Sequence, residues 1–482
     1  MFEKMKKYKI LISLALLVSV TSCKKLINIQ ETDLIAGDVA LKTVSNVESA
    51  VIGAYAGVGV EMGILFNSTL SDEVATAGEF YNAATTHEWQ FSPTDVGIRD
   101  NFTAINPNYT IIDRVNRVLK VVATADSTKA GDNTKRARLR GEALFLRAYC
   151  HFELFKYYCG NYNPTGLAMA YMTEPNILPE GRIKLAEYFQ KMNADLTEAK
   201  TLIPTSLTDK NRVNLPAANA LHARIALYTG NWADAETYAT AYINALPLAT
   251  AAEFPGIWTD ANTVEVAFQL IRTTTVGGRI GSLFRGTSAS TTNIGVTTWK
   301  PSNKLWDSYD QANDIRFTAY LKDEPLLTAA GRQSRVVHKY YGTGIGTTNE
   351  NVNNAKVYRT GEMYLIRAEA RAEQNKFTGA NSAESDINAL RTARITGYTN
   401  VTFASKQAAI DAIMLERFKE LPFEGHRFWD LKRKGLGVQR LPADAPTVTG
   451  QTLPANDYRF VLPIPQTELN ANPLMEQNPG YQ

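Results

Sequence analysis

Residues 219–243 read NALHARIALYTGNWADAETYATAYI. Leu221, Ala223, Ile225, Leu227 and Tyr228 give residues 219–229 the apolar surface of a packed helix. Gly230-Asn231-Trp232 interrupts it, and Ala235, Tyr238, Ala239 and Ile243 build a second helix. Small residues where two helices cross allow their backbones to approach closely. One such hairpin cannot bury its own apolar face, so several must stack.

The pattern returns on both sides. Residues 362–391 form a similar pair, with Tyr364, Leu365, Ala368 and Ala370 on the first helix and Ala383, Ile387, Leu390 and Arg391 on the second. Tyr109–Val122 pairs with the aromatic-rich run 137–158, and a further helix spans 185–202 before Pro204. Val44, Val47, Val51, Ile52 and Tyr55 mark one face of an earlier helix. The units resemble degenerate tetratricopeptide repeats, and about four pairs are expected. Residues 254–355 differ: 273–298 is rich in Gly, Ser and Thr, and 264–268 reads as a short strand. The predicted fold is therefore mainly α, a tetratricopeptide-like scaffold of helical pairs carrying a loop-rich insertion with short β-strands. Its parts are 34–253, the insertion 254–355, and 356–482. Trp232, Trp306 and Trp429 are expected in the core.

Composition narrows the function. The 482 residues are 44% hydrophobic and 21% charged with net charge +3, too balanced for a disordered chain or a nucleic-acid binder. Five His and three Cys leave little material for a zinc site, so neither metal nor cofactor is expected. Cys150 and Cys159 flank a helical stretch, which holds them too far apart for a disulfide.

Lys4, Lys6, Lys7 and Lys9 precede an apolar run from Ile10 to Val20, too short to span a bilayer but suited to a secretory signal. Val20-Thr21-Ser22-Cys23 resembles the bacterial lipobox, which implies a signal peptide over 1–22, acylation of Cys23 and a tether over 23–33. With Glu3, those lysines account for the whole excess of +3, so the remainder of the chain is neutral. No second apolar stretch of spanning length is expected.

Near the C-terminus, residues 414–433 read MLERFKELPFEGHRFWDLKR. Glu416 and Glu420 share a helix face, Pro422 ends that helix, and Gly425 permits a turn. Arg427 is expected to fold back onto Glu416, Glu420 and Glu424, and Asp430 to take further arginines. These four, Glu416, Glu420, Arg427 and Asp430, are read as structural. The chain closes on Pro463-Ile464-Pro465, Asn472-Pro473 and Gln477-Asn478-Pro479-Gly480-Tyr481.

Together these two motifs resemble the SusD/RagB family of Bacteroidetes outer-membrane lipoproteins. Gly53-Ala54-Tyr55, Ser71-Asp72-Glu73, Leu146-Arg147-Ala148-Tyr149 and Asp314-Ile315-Arg316 extend the likeness over nearly the whole chain. The resemblance implies a non-catalytic receptor, lipid-anchored and facing outward. It would capture glycan and pass it to a TonB-dependent, SusC-like transporter.

A pyranose ring stacks on aromatic faces while its hydroxyls take fixed polar partners. Trp89 and Trp299 lie in polar loop contexts and are the candidate platforms; Tyr81, Asp72 and Asn101 are the accompanying candidates. No His-Glu-x-x-His or Gly-x-Ser-x-Gly motif is present, and Gly342-Thr343-Gly344-Ile345-Gly346 lacks the lysine of a phosphate-binding loop. The alternatives are a scaffold that binds proteins or peptides in its helical groove, and a glycoside hydrolase.

Overall fold

The computed structural model describes residues 40–78, 84–97, 102–176, 178–275 and 278–481. Cys23 and the tether lie outside them, as do Tyr81 and Asn101. The main helices are α1 (Val44–Gly57), α2 (Glu61–Leu70), α3 (Ile105–Val121), α4 (Asp132–Tyr158), α5 (Leu185–Leu202), α6 (Leu215–Thr229) and α7 (Trp232–Ala245). They continue as α8 (Thr360–Glu373), α9 (Ala383–Arg394), α10 (Lys406–Glu420) and α11 (Arg427–Arg433). The strands are β1 (Val74–Thr76), β2 (Val266–Leu270), β3 (Trp299–Pro301), β4 (Leu321–Asp323), β5 (Arg335–Val337), β6 (Ala355–Arg359), β7 (Val438–Gln439) and β8 (Thr452–Leu453). They pair antiparallel as β1–β3, β2–β6, β4–β5 and β7–β8.

The hairpin α6–α7 shows how the local signals act. Asn214 caps α6 by accepting from the Ala217 N–H at 3.1 Å, and Pro216 sits in the first turn, where its missing N–H costs nothing. Gly230 ends the helix at φ +69°, a left-handed conformation that suits glycine. Asn231 then caps α7. Consecutive helices pack on each other: α3 on α4, α4 on α5, α6 on α7, α7 on α8, and α8 on both α9 and α10. The fold is mostly helical and tetratricopeptide-like. α4 is its spine, buried on every side from Gly141 to Tyr158.

Three expectations need correction. Ile52 is exposed, and Ala54 takes its place on the buried face of α1. Trp232 is only half-buried at its turn. The stretch Val44–Leu70 is long and apolar enough by composition to cross a membrane. It is nevertheless broken at 58–60, and Val47, Val51, Ile64, Phe66 and Leu70 pack into the core. Cys150 and Cys159 are buried and unbridged.

Candidate functional site

Helix α2 and the segments 86–97 and 282–299 meet around a cleft of about 740 Å³. Met62, Leu65, Phe102, Leu283 and Trp299 line its apolar part, and Glu61, Thr86, Asp95, Ser282 and Thr298 its polar part. Trp299 opens β3 and faces Thr76 of β1 in register. The Thr298 and Trp299 N–H groups both donate to the Phe284 carbonyl at 3.0 Å, closing the 284–299 loop on itself. The Trp299 ring lies 4.9 Å from His87, tilted by 50°. His87 meets the Thr69 carbonyl at 2.6 Å through Nδ1. Burial, then the Arg440 charge, lowers His87 to about 3, so its ring is neutral. Glu61 is held by Arg272 through Nε (2.5 Å) and Nη2 (3.2 Å). Asp95 accepts the Gly97 N–H at 2.7 Å. The cleft thus combines an apolar floor with carboxylate and hydroxyl groups at hand.

The sequence candidates fall on both sides of this floor. Trp299 lines the cleft, but with 4% of its surface exposed it offers little of its ring. Trp89 is core, which corrects its reading as a loop platform. Its backbone is left-handed at φ +58°, turning the indole inward, where its N–H donates to the Leu70 carbonyl at 2.9 Å. The Arg440 guanidinium lies 4.2 Å from that ring. Asp72 is likewise no ligand group: it is buried, and Arg427 grips it bidentately at 2.8 and 2.9 Å with Lys304 at 2.7 Å. Sequence reasoning missed Glu61, Met62, Leu65, Asp95, Ser282, Leu283 and Thr298. Only the Ser/Thr-rich composition of 273–298 hinted at any of them.

Arg427 therefore pairs with Asp72 rather than with Glu416, Glu420 and Glu424. Those take other arginines. Glu416 binds Arg316 and Arg391, both at 2.6 Å. Glu420 receives Arg359 at 3.0 Å, Arg316 at 3.1 Å and Arg394 at 3.2 Å. Glu424 binds Arg359 at 2.7 Å and Lys339 at 2.6 Å. Asp430 takes Arg417 at 2.7 Å and Arg433 at 2.8 Å. Burial alone would raise Glu420, but Arg394, Arg359 and Arg316 hold it well below the usual carboxylate range. This network joins the insertion to the C-terminal helices, and none of its residues lines the cleft.

Comparison with known proteins decides the family. The model of the SusD family matches residues 327–481, and a related model, described as starch-binding and associating with the outer membrane, matches 35–227. The chain belongs to the SusD/RagB family. Among SusD/RagB relatives, the SusD-like protein P2 of Formosa agariphila is 25% identical, covering 99% of this chain and 100% of that protein. The SusD-like protein P25 of the same organism is 24% identical, with 99% and 100% covered. A SusD superfamily protein of Bacteroides vulgatus superimposes with a TM-score of 0.77 at 25% identity, covering 92% of this chain and 100% of the other. A SusD-like carbohydrate-binding protein of the same species gives 0.74 at 20%, covering 90% and 97%.

Proposed function

We propose that this SusD/RagB protein is a non-catalytic glycan receptor of the outer membrane, acylated at Cys23, and that it hands its ligand to a TonB-dependent transporter. The observation that carries the reading is the 740 Å³ cleft, whose volume and mixed lining suit a saccharide. The starch-binding description of one matching model and the name of the carbohydrate-binding structural relative support it. In this reading Leu65, Leu283 and the exposed part of Trp299 meet the apolar face of a sugar ring. Glu61, Asp95, Thr86, Ser282 and Thr298 take its hydroxyls. Arg272 orients the Glu61 carboxylate and the Gly97 N–H that of Asp95, and a carboxylate oxygen so held has a further lone pair to accept a sugar hydroxyl. Holding glycan beside a channel mouth raises its local concentration, so modest affinity suffices.

Ser282 is exposed at the rim, and Ser282→Trp fills the cleft with little cost to the core. Retention of the variant in affinity gels containing amylopectin, laminarin, xyloglucan or pectic galactan should fall about tenfold, equivalent to about 1.4 kcal/mol. Retention equal to that of the unmodified protein on every gel would refute the assignment. Release of reducing ends during incubation with these glycans would refute the non-catalytic reading.

A further inference from the structure

A second cleft, of about 530 Å³, shares no lining residue with the first. Its walls are the turn after α4, the segment 456–461, and the closing motif Glu476-Gln477-Asn478-Pro479. The size falls within the ~300–1,000 Å³ range of small-molecule sites.

Tyr458 supplies an exposed aromatic surface. Its side chain is 46% exposed, although most rings in this chain are buried. The neighbouring backbone positions it: Gly480 sits at φ +90°, and a Cβ there would lie 2.5 Å from Tyr458 Cγ. Tyr481 meets the ring edge-on, with centroids 4.9 Å apart. Arg459, tied to Asp457 at 2.8 Å through both Nε and Nη2, stands 5.7 Å from the ring centre. The tyrosine is therefore fixed on one side by the chain terminus and open on another.

The polar lining is rich in carboxamides. Gln477 and Asn478 are consumed in building the wall. Gln477 exchanges hydrogen bonds with both backbone groups of Ile464, at 2.8 and 2.9 Å. Asn478 donates to the carbonyls of Tyr158 and Leu462 and accepts from Arg182. Asn161, Asn163 and Asn456 are exposed and retain capacity. Among the described residues, Asn161 uses only Nδ2, toward the Lys432 carbonyl, and Asn163 only Oδ1, toward Thr165. Asn456 makes no side-chain hydrogen bond among the described residues. A carboxamide offers two donors and an acceptor that accepts twice, which suits a vicinal pair of hydroxyls.

We propose that this cleft is a second saccharide site, binding a short run of neutral sugar units with Tyr458 as the stacking platform and Asn161, Asn163 and Asn456 as hydroxyl partners. The proposal rests on the glycan-binding reading above and extends it: two sites on one rigid chain bind a polysaccharide with higher avidity than either alone. It also gives the closing motif a role, since that motif forms one wall and seats the ring.

The test uses the full mature chain, with Tyr458→Ala, Tyr458→Phe, Ser282→Trp and Tyr458→Ala/Ser282→Trp, on the same four gels. The expected result is about a fivefold loss of retention for Tyr458→Ala, retention preserved in Tyr458→Phe, and a larger loss in the double variant. In parallel, acetylation of Tyr458 by N-acetylimidazole is followed in the unmodified protein by peptide mass spectrometry. The polysaccharide that retains the protein should slow it. Normal retention of Tyr458→Ala, or unslowed acetylation, overturns this second site and leaves the first standing. Normal retention of Ser282→Trp with loss in Tyr458→Ala overturns the first site and leaves the second. An unmodified protein that no gel retains overturns both.

Discussion

Glu73 gives the protein a pH dependence whose size follows from its surroundings. It follows Asp72 between α2 and β1, 1% exposed. Its Oε2 accepts from Ser68 Oγ at 2.8 Å and from the Phe423 N–H at 3.1 Å, while Oε1 has no partner among the described residues. Burial, with the neighbouring Asp72 charge adding to it, pushes the carboxyl from 4.5 up to about 7. Asp72 itself, against the same burial, is held well below the usual range by Arg427 and Lys304. Between pH 4.5 and 7 the folded chain therefore keeps a proton on Glu73 that the unfolded chain has released. The native state binds more protons there, so unfolding free energy falls as pH rises through that window. A shift of this size corresponds to about 3 kcal/mol, fully lost above about pH 7.5. Glu73→Gln preserves the shape and the Oε2 acceptor but cannot ionise. Urea unfolding of both proteins at intervals from pH 4.5 to 8 should show the variant gaining about 3 kcal/mol relative to the parent across the window. Parallel curves would refute the reasoning, because they would mean that Glu73 ionises alike in both states.

Arg427→Met should cost about 3–5 kcal/mol in the same unfolding assay, since it strips Asp72 of its bidentate partner while the carboxylate stays buried. Gly361→Ala should cost about 1–3 kcal/mol, because the new Cβ would lie 2.3 Å from a Glu420 oxygen that three arginines prevent from swinging aside; an unchanged melting temperature would contradict this. Cys23→Ser should move the protein from the membrane fraction to the soluble one and abolish incorporation of labelled palmitate, and membrane retention by the variant would disprove acylation there.

The helices were legible because burial imposes a period on the sequence. Leu185–Leu202 coincides with its apolar stripe, and Asn214, Gly230 and Asn231 mark the ends of their helices through their own side-chain and backbone preferences. Partners distant in sequence were not legible. Asp72 and Arg427 meet across 355 positions, and nothing local to Arg427 distinguishes Asp72 from the nearer Glu416 and Glu420. The indole of Trp89 was misread because a polar neighbourhood in sequence says nothing about a left-handed backbone that turns the ring inward. The cleft was half-visible for a similar reason. Its Ser- and Thr-rich rim shows in composition, whereas Met62 and Leu65 are apolar residues of an ordinary helix, and only tertiary packing turns them toward solvent.

Arg440 connects these observations. Its guanidinium donates to the carbonyls of Thr69, Ser71, His87 and Gly450, all at 2.8–2.9 Å, and lies against Trp89. A single cation from the far end of the chain thus clamps the bed on which the first cleft rests, while the residues that touch solvent there belong to separate surface segments. A substitution in those outer segments therefore leaves the Arg440 clamp, and the packing it holds together, in place.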